Sequence, residues 1–303
     1  MTILELEKLR KSAKFFLILD IAMVVLAVPF WPSLFSIVMC VMGAVLFFTL
    51  VMKKMSDYKR IFKENIVKAS LEGVFTELCY DPDKGVSAQE VELSGLVELK
   101  DEFVSNDLMV AKYGKVNFKQ ADIVISDRSK IAGTDGIPSE VTTKCFIGRF
   151  LVFDFLKPTV APVKVMGKNF NPEGGNQGVF NTIKKKLISD KSEQQVLLES
   201  EVFNENFNTF CSDPQTAFYI LTPQIVEAIS MLSNHYQGKI ALSFRDKKMF
   251  VVISSKKDSL EPKLLSNHTI WKEKELVTRD IQVITDFIQL MNLENNMLVV
   301  ANR

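Results

Sequence analysis

Histidine is nearly absent from this 303-residue chain: His235 and His268 are the only two. General acid–base work near neutral pH most often recruits histidine, so a hydrolytic triad has few candidate bases here. Both histidines sit in polar contexts, SNHYQG and SNHTIW, that read as solvated loops. Cysteine is scarce as well. Cys40, Cys79, Cys145 and Cys211 stand far apart, one of them inside an apolar run. That spacing excludes a disulfide framework or a zinc pattern and suits a reducing compartment. Net charge is also missing, at a formal +1, so no global field points to nucleic acid. The Gly-rich stretch GGNQG, residues 174–178, lacks the G-K-[ST] ending with which a phosphate cradle closes. No cofactor and no metal set is implied.

Charge is most conspicuously lacking between residues 15 and 52, where Asp20 is the single charged side chain. Two spans are read there, Phe15 to Trp31 and Ser33 to Met52. Crossing hydrocarbon takes roughly 20 apolar residues, with about 17 as a lower limit, so the second span qualifies comfortably and the first is short. Pro29, Trp31 and Pro32 mark the turn between them. Lys8, Arg10, Lys11 and Lys14 precede the pair; Lys53, Lys54, Lys59, Arg60 and Lys63 follow it; the turn carries no positive charge. The positive-inside rule then puts both ends in the cytoplasm, with Lys14, Trp31, Lys53 and Lys54 flanking the bilayer. Small residues at Ser36, Cys40 and Ala44 suggest a close-packed helix face. The expectation is a multi-pass inner-membrane protein: a transmembrane hairpin over residues 1–54, then a cytoplasmic domain over 55–303 whose two lobes divide near 180–196.

Helical periodicity runs from Met55 to Cys79, through Ile61, Phe62, Ile66, Val67, Leu71, Val74, Phe75 and Leu78. Ser87-Ala88-Gln89-Glu90 has the form of a capping box opening a short helix. Short strands follow. MVAKYGKVNF reads as a hairpin about Tyr113-Gly114, ADIVIS alternates, and Asp127 to Ser139 reads as a loop. KCFIGRFLVFDFLK, Lys144 to Lys157, is the strongest strand signal, with Gly148 as a bend or bulge. VFNENFNTF is read as irregular, Pro214 and Thr222-Pro223 each open a helix, and IALSF and MFVVIS form a hairpin about Arg245-Asp246-Lys247. Val277, Ile281, Ile284, Ile288 and Met291 give a terminal helix. Hairpins with segregated helices make the class α+β, mainly antiparallel.

The order of YKRIFKENIV, VELSGLV with Asn106-Asp107 after it, FIGRFLVFDF, LESEVFNENF and SDPQTAFYILTPQIVEAI resembles a bacterial membrane-anchored family known only as domain of unknown function 3137. The resemblance implies a membrane-anchored α+β domain. It brings no catalytic residues with it.

Chemistry would have to come from carboxylates. Asp101, Glu102 and Asp107 share one stretch, Asp127 and Asp135 one loop, and Asp154 interrupts an apolar strand with Arg149 expected nearby. Asp101, Asp107 and Asp154 are therefore the candidates for a polar site. The leading reading is a membrane-tethered, non-enzymatic binding or scaffolding module whose partners are the lipid bilayer and a protein, with a homo-oligomer allowed and no nucleic acid. The alternative is a membrane-bound hydrolase or phosphoryl-handling enzyme, which convergence of those acids in one pocket would favour.

Overall fold

The computed structural model describes residues 3–27, 29, 33–132, 138–155, 157–171, 193–255, 262 and 269–291. Trp31, Asp135, His268, the GGNQG stretch and Lys184 to Lys186 lie outside them. The chain divides into two units: Met1–Gly73 with Leu260–Asp280, and Val74–Ser259 with Ile281–Arg303.

The first unit is helical. Helix α1 covers Ile3–Ala27. Helix α2 runs without a break over Leu34–Glu72, with wider π turns at Phe47–Val51 and Lys63–Val67. Ser33 caps it, its hydroxyl accepting the Ser36 N–H at 3.3 Å. Among the described residues this one helix is long and apolar enough to cross a membrane. The first predicted span falls short of that standard for a physical reason. Charged residues occupy α1 through Lys14, and residues 15–27 rise only about 20 Å at 1.5 Å per residue, with Asp20 among them.

The two helices pack antiparallel. Phe16 lies beside Lys54, whose Nζ stands 5.2 Å from the ring centroid, and Asp20 lies against Gly43, where an added Cβ would come within 3.5 Å of the carboxylate. The buried small residues of α2 are thus Ser36 and Gly43, seven apart, while Ala44 is exposed. The four-residue stripe expected from the sequence is corrected accordingly. The periodic segment that starts at Met55 also ends earlier than expected, at Glu72, because residues beyond Gly73 leave the helix to pair as a strand.

The second unit holds one nine-stranded sheet in the order β1-β2-β3-β4-β9-β8-β5-β7-β6. Its strands are β1 Thr76–Asp81, β2 Glu102–Tyr113, β3 Val116–Ala132, β4 Pro138–Asp154, β5 Val163–Gly167, β6 Gln194–Val196, β7 Phe207–Cys211, β8 Ile240–Arg245 and β9 Lys248–Ser254. Each of these strands pairs antiparallel with its neighbours, so the chain is α+β with a mainly antiparallel sheet. Helix α3, Ala88–Ser94, begins at the capping box, where the Ser87 hydroxyl accepts the Glu90 N–H. It stops at Gly95, whose φ of 64° suits a left-handed cap. The remaining helices among the described residues are α4 Glu201–Asn206, α5 Pro214–Ile220, α6 Pro223–His235 and α7 Ile270–Leu290. Helix α7 contributes Ile270–Asp280 to the first unit and its remainder to the second.

Several sequence expectations change. The segment VFNENFNTF is α4 followed by β7. The loop expected over Asp127 to Ser139 is mostly strand, since β3 continues to Ala132 and β4 starts at Pro138, paired residue for residue. Gly148 keeps regular register; it is glycine because a Cβ there would meet the Ile253 carbonyl at 2.4 Å and the Phe146 ring at 2.7 Å. The register shift lies instead opposite Ile125 and Ser126.

Alternation sorts the phenylalanines of β4 onto both faces, and both are buried. Phe146 and Phe150 join Ile123, Ile125, Phe250 and Val252 in the core. Phe153 faces the other way, stacked on Phe118 at 5.7 Å and met edge-on by Phe287 of α7 at 5.8 Å. Elements of this chain cover these rings, so they are packing residues and not a docking surface.

Candidate functional site

Partners across a sheet share a face, with Cβ atoms about 5 Å apart. The row Asn106, Asp122, Arg149 therefore crosses β2, β3 and β4 on one face. Arg149 and Asp122 are 2 % and 5 % exposed, with Arg149 Nε 3.6 Å from the Asp122 carboxylate. Beside them β2 is bulged between Asn106 and Met109. Asp107 occupies the bulge with φ +56° and no exposure. A left-handed non-glycine costs roughly 1 kcal/mol or more, and hydrogen bonds hold it there. The Tyr80 hydroxyl donates to Asp107 Oδ1 at 2.5 Å, Asn106 Nδ2 donates to Oδ2 at 2.8 Å, and the Asp107 N–H reaches the Pro82 carbonyl at 3.1 Å. Gln120, 3 % exposed, lies two residues from Asp122 on the same strand face. The result is a buried polar row across β2, β3 and β4.

The three candidate acids do not converge. Asp101 accepts the Arg128 N–H at 2.9 Å, and that bond holds its carboxyl below the ordinary carboxylate range. Asp154 accepts from Asn117 Nδ2 at 3.1 Å. Asn117 and Arg128 are eleven residues apart along β3, roughly 36 Å at 3.3 Å per residue. Asp107 falls between them and is fully engaged. Arg149, expected beside Asp154, pairs with Asp122 instead, because residues 149 and 154 differ by an odd number and so point to opposite faces of β4. Among the described residues no group of His, Cys, Asp or Glu has metal-binding geometry. His235 is not in a loop; it ends α6, edge-on to the Tyr236 ring at 4.7 Å.

The first unit holds a second buried polar cluster. Glu273 of α7 receives Arg10 of α1 at 3.5 Å and the Tyr58 hydroxyl of α2 at 3.3 Å. Arg10, Tyr58 and Glu273 are all nearly inaccessible, among buried Leu6, Ala13, Phe62, Ile270 and Val277. Burial, and then the charge of Glu273, push the Tyr58 phenol far above its ordinary pKa. The sequence carried a signal for this cluster. Arg10 sits in the helical period of Leu6 and Ala13, and Glu273 in that of Ile270 and Val277: a charge at a core position.

Of the residues expected to flank a bilayer, Lys53 is exposed, and Lys14 and Lys54 are half-buried.

No curated protein matches the chain. A solved structure similar to it is that of the mycobacterial trehalose monomycolate transport factor A, TtfA, with 8 % identity and a TM-score of 0.36, covering 77 % of this chain and 94 % of that one. A family model described as "Protein of unknown function (DUF3137)" matches residues 144–293. That stretch takes in FIGRFLVFDF, LESEVFNENF and SDPQTAFYILTPQIVEAI, while YKRIFKENIV and VELSGLV precede it. Through this match, which begins in β4 and ends just past α7, residues 144–293 carry the DUF3137 domain.

Proposed function

We propose that this protein is a membrane-tethered, non-enzymatic binding or scaffolding module, held by a two-helix hairpin whose two outer ends are cytoplasmic. The observation that carries the tether is the apolar belt. Phe15, Ile18, Ile21, Val25 and Leu26 of α1 are exposed beside Leu34, Phe35, Val41, Val45 and Phe48 of α2. A contiguous apolar surface on this scale is costly in water and ordinary in lipid. The antiparallel packing of α1 on α2 supports a hairpin in which α1, though short, dips alongside its neighbour. Asp20 then lies against Gly43, where α2 shields it from hydrocarbon.

Binding is favoured over turnover by the dispersal of the candidate acids. A carboxylate hydrolase needs two carboxyl groups within about 10 Å of each other, and Asp101 and Asp154 are several times farther apart. Replacing His235 and His268 by alanine, together with Asp101→Asn and Asp154→Asn, is expected to leave complementation of a deletion strain intact. Loss of complementation by this variant, still folded and inserted, would overturn the binding reading and revive the enzyme.

A further inference from the structure

The antiparallel register of α1 and α2 brings two basic segments to one level. Lys54 stands over Phe16, and Arg10 and Tyr58 meet at Glu273. Lys8, Lys11 and Lys14 of α1 therefore lie alongside Lys53, Lys54, Lys59 and Arg60 of α2. Lys8, Lys11, Lys53 and Arg60 are exposed, and Lys14, Lys54 and Lys59 half-exposed. Arg10 alone turns inward, where Glu273 compensates its charge. The band is about 10 Å deep at 1.5 Å per residue, close to the Debye length of about 8 Å. On α1 and α2 the acids at this level are Glu7 and Asp57, the latter paired with Arg60 at 3.5 Å, and α7 adds Glu273. Immediately beyond it on both helices begins the exposed apolar belt, with Phe15 and Ile18 on α1 and Met52 and Phe48 on α2.

We propose that this collar binds the headgroups of anionic phospholipids, an inference that rests on the membrane reading above and adds lipid selectivity to it. Two features point to lipid as the occupant. The positive charges ring the helix pair where its surface changes from polar to apolar, and that is where headgroups meet a membrane hairpin. They are also spread around two helices and do not converge on one point, so they match a sheet of phosphates better than a single anion. Juxtamembrane lysines and arginines near an anionic leaflet act in concert in this way.

The full-length protein, reconstituted into vesicles of mixed phosphatidylglycerol and phosphatidylcholine, is extracted in mild detergent and its retained lipid weighed by headgroup. Phosphatidylglycerol is expected at about fivefold enrichment over the bulk. Replacing Lys8, Lys11, Lys14, Lys53, Lys54, Lys59 and Arg60 by glutamine should return the ratio to that of the bulk, while the variant still floats with vesicles. A wild-type protein that floats but retains lipid at the bulk ratio would refute the collar and leave the tether standing. Enrichment that persists in the variant would also refute it. A chain that does not float at all would remove both. Loss of enrichment to inorganic phosphate at constant ionic strength would make the occupant a free anion and overturn the lipid assignment.

Discussion

Glu273 is the residue on which the first unit turns, because it is the common acceptor of two buried groups on two other helices. Removing one member of a buried ion pair strands the other charge, at a cost of about 3–5 kcal/mol. Glu273→Ala is accordingly expected to lose hydrogen-exchange protection over residues 270–280 by more than a hundredfold. The combination Arg10→Met, Tyr58→Phe, Glu273→Leu should recover most of it, since a packed apolar replacement leaves nothing unpaired. If the single and combined variants exchange alike, the cluster does not hold α7. Tyr58 adds a pH dependence. Its folded-state pKa is raised, so the unfolded chain loses the phenolic proton first. The stability it contributes is complete below about pH 10, the ordinary tyrosine value, and falls as the pH rises beyond it.

At the scale of the element, the β8–β9 hairpin carries a measurable flaw. Asp246 and Lys247 both adopt positive φ, 52° and 58°, the pattern of a type I′ turn, which favours Asn-Gly or Asp-Gly. Lysine pays a steric cost there that glycine does not. Lys247→Gly is expected to stabilise the domain by about 1 kcal/mol in denaturant titration, and a lowered midpoint would refute the turn assignment. This hairpin was legible in the sequence, as were the turn at Tyr113-Gly114, the cap at Ser87 and the helix after Thr222, because each is written in local turn or cap chemistry. β1 was not legible. Thr76–Asp81 continues an apolar period that suits a helix, and only pairing with β2 makes it a strand. The polar row was invisible for a related reason. Asp122 and Arg149 are 27 residues apart in sequence, and register alone brings them opposite one another. Asp107 was picked out as one acid among many, without the bulge that gives it its place.

For the whole molecule, the basic flanks set a topology. Positive charge brackets residues 15–52 and is absent between them, so both outer ends should remain on the cytoplasmic side. An alkaline phosphatase reporter fused after Arg303 should be inactive and a fluorescent protein at the same position should glow. The reverse pattern would invert the hairpin. The family match says nothing further about orientation, since the matched residues 144–293 begin well after α2. The charges on α1 and α2 carry that argument unaided.

The cluster at Glu273 also has a history in time. Tyr58 and its acceptor are 215 residues apart, and a ribosome adding about 5–20 residues per second needs roughly 10–40 s to cover that distance. Arg10 and Tyr58 must therefore wait for the helix that receives them to be synthesised. A nascent chain stalled anywhere before residue 270 has Arg10 without the Glu273 carboxylate. Completion of the first unit is thus a record that the intervening residues 74–259 have already been translated.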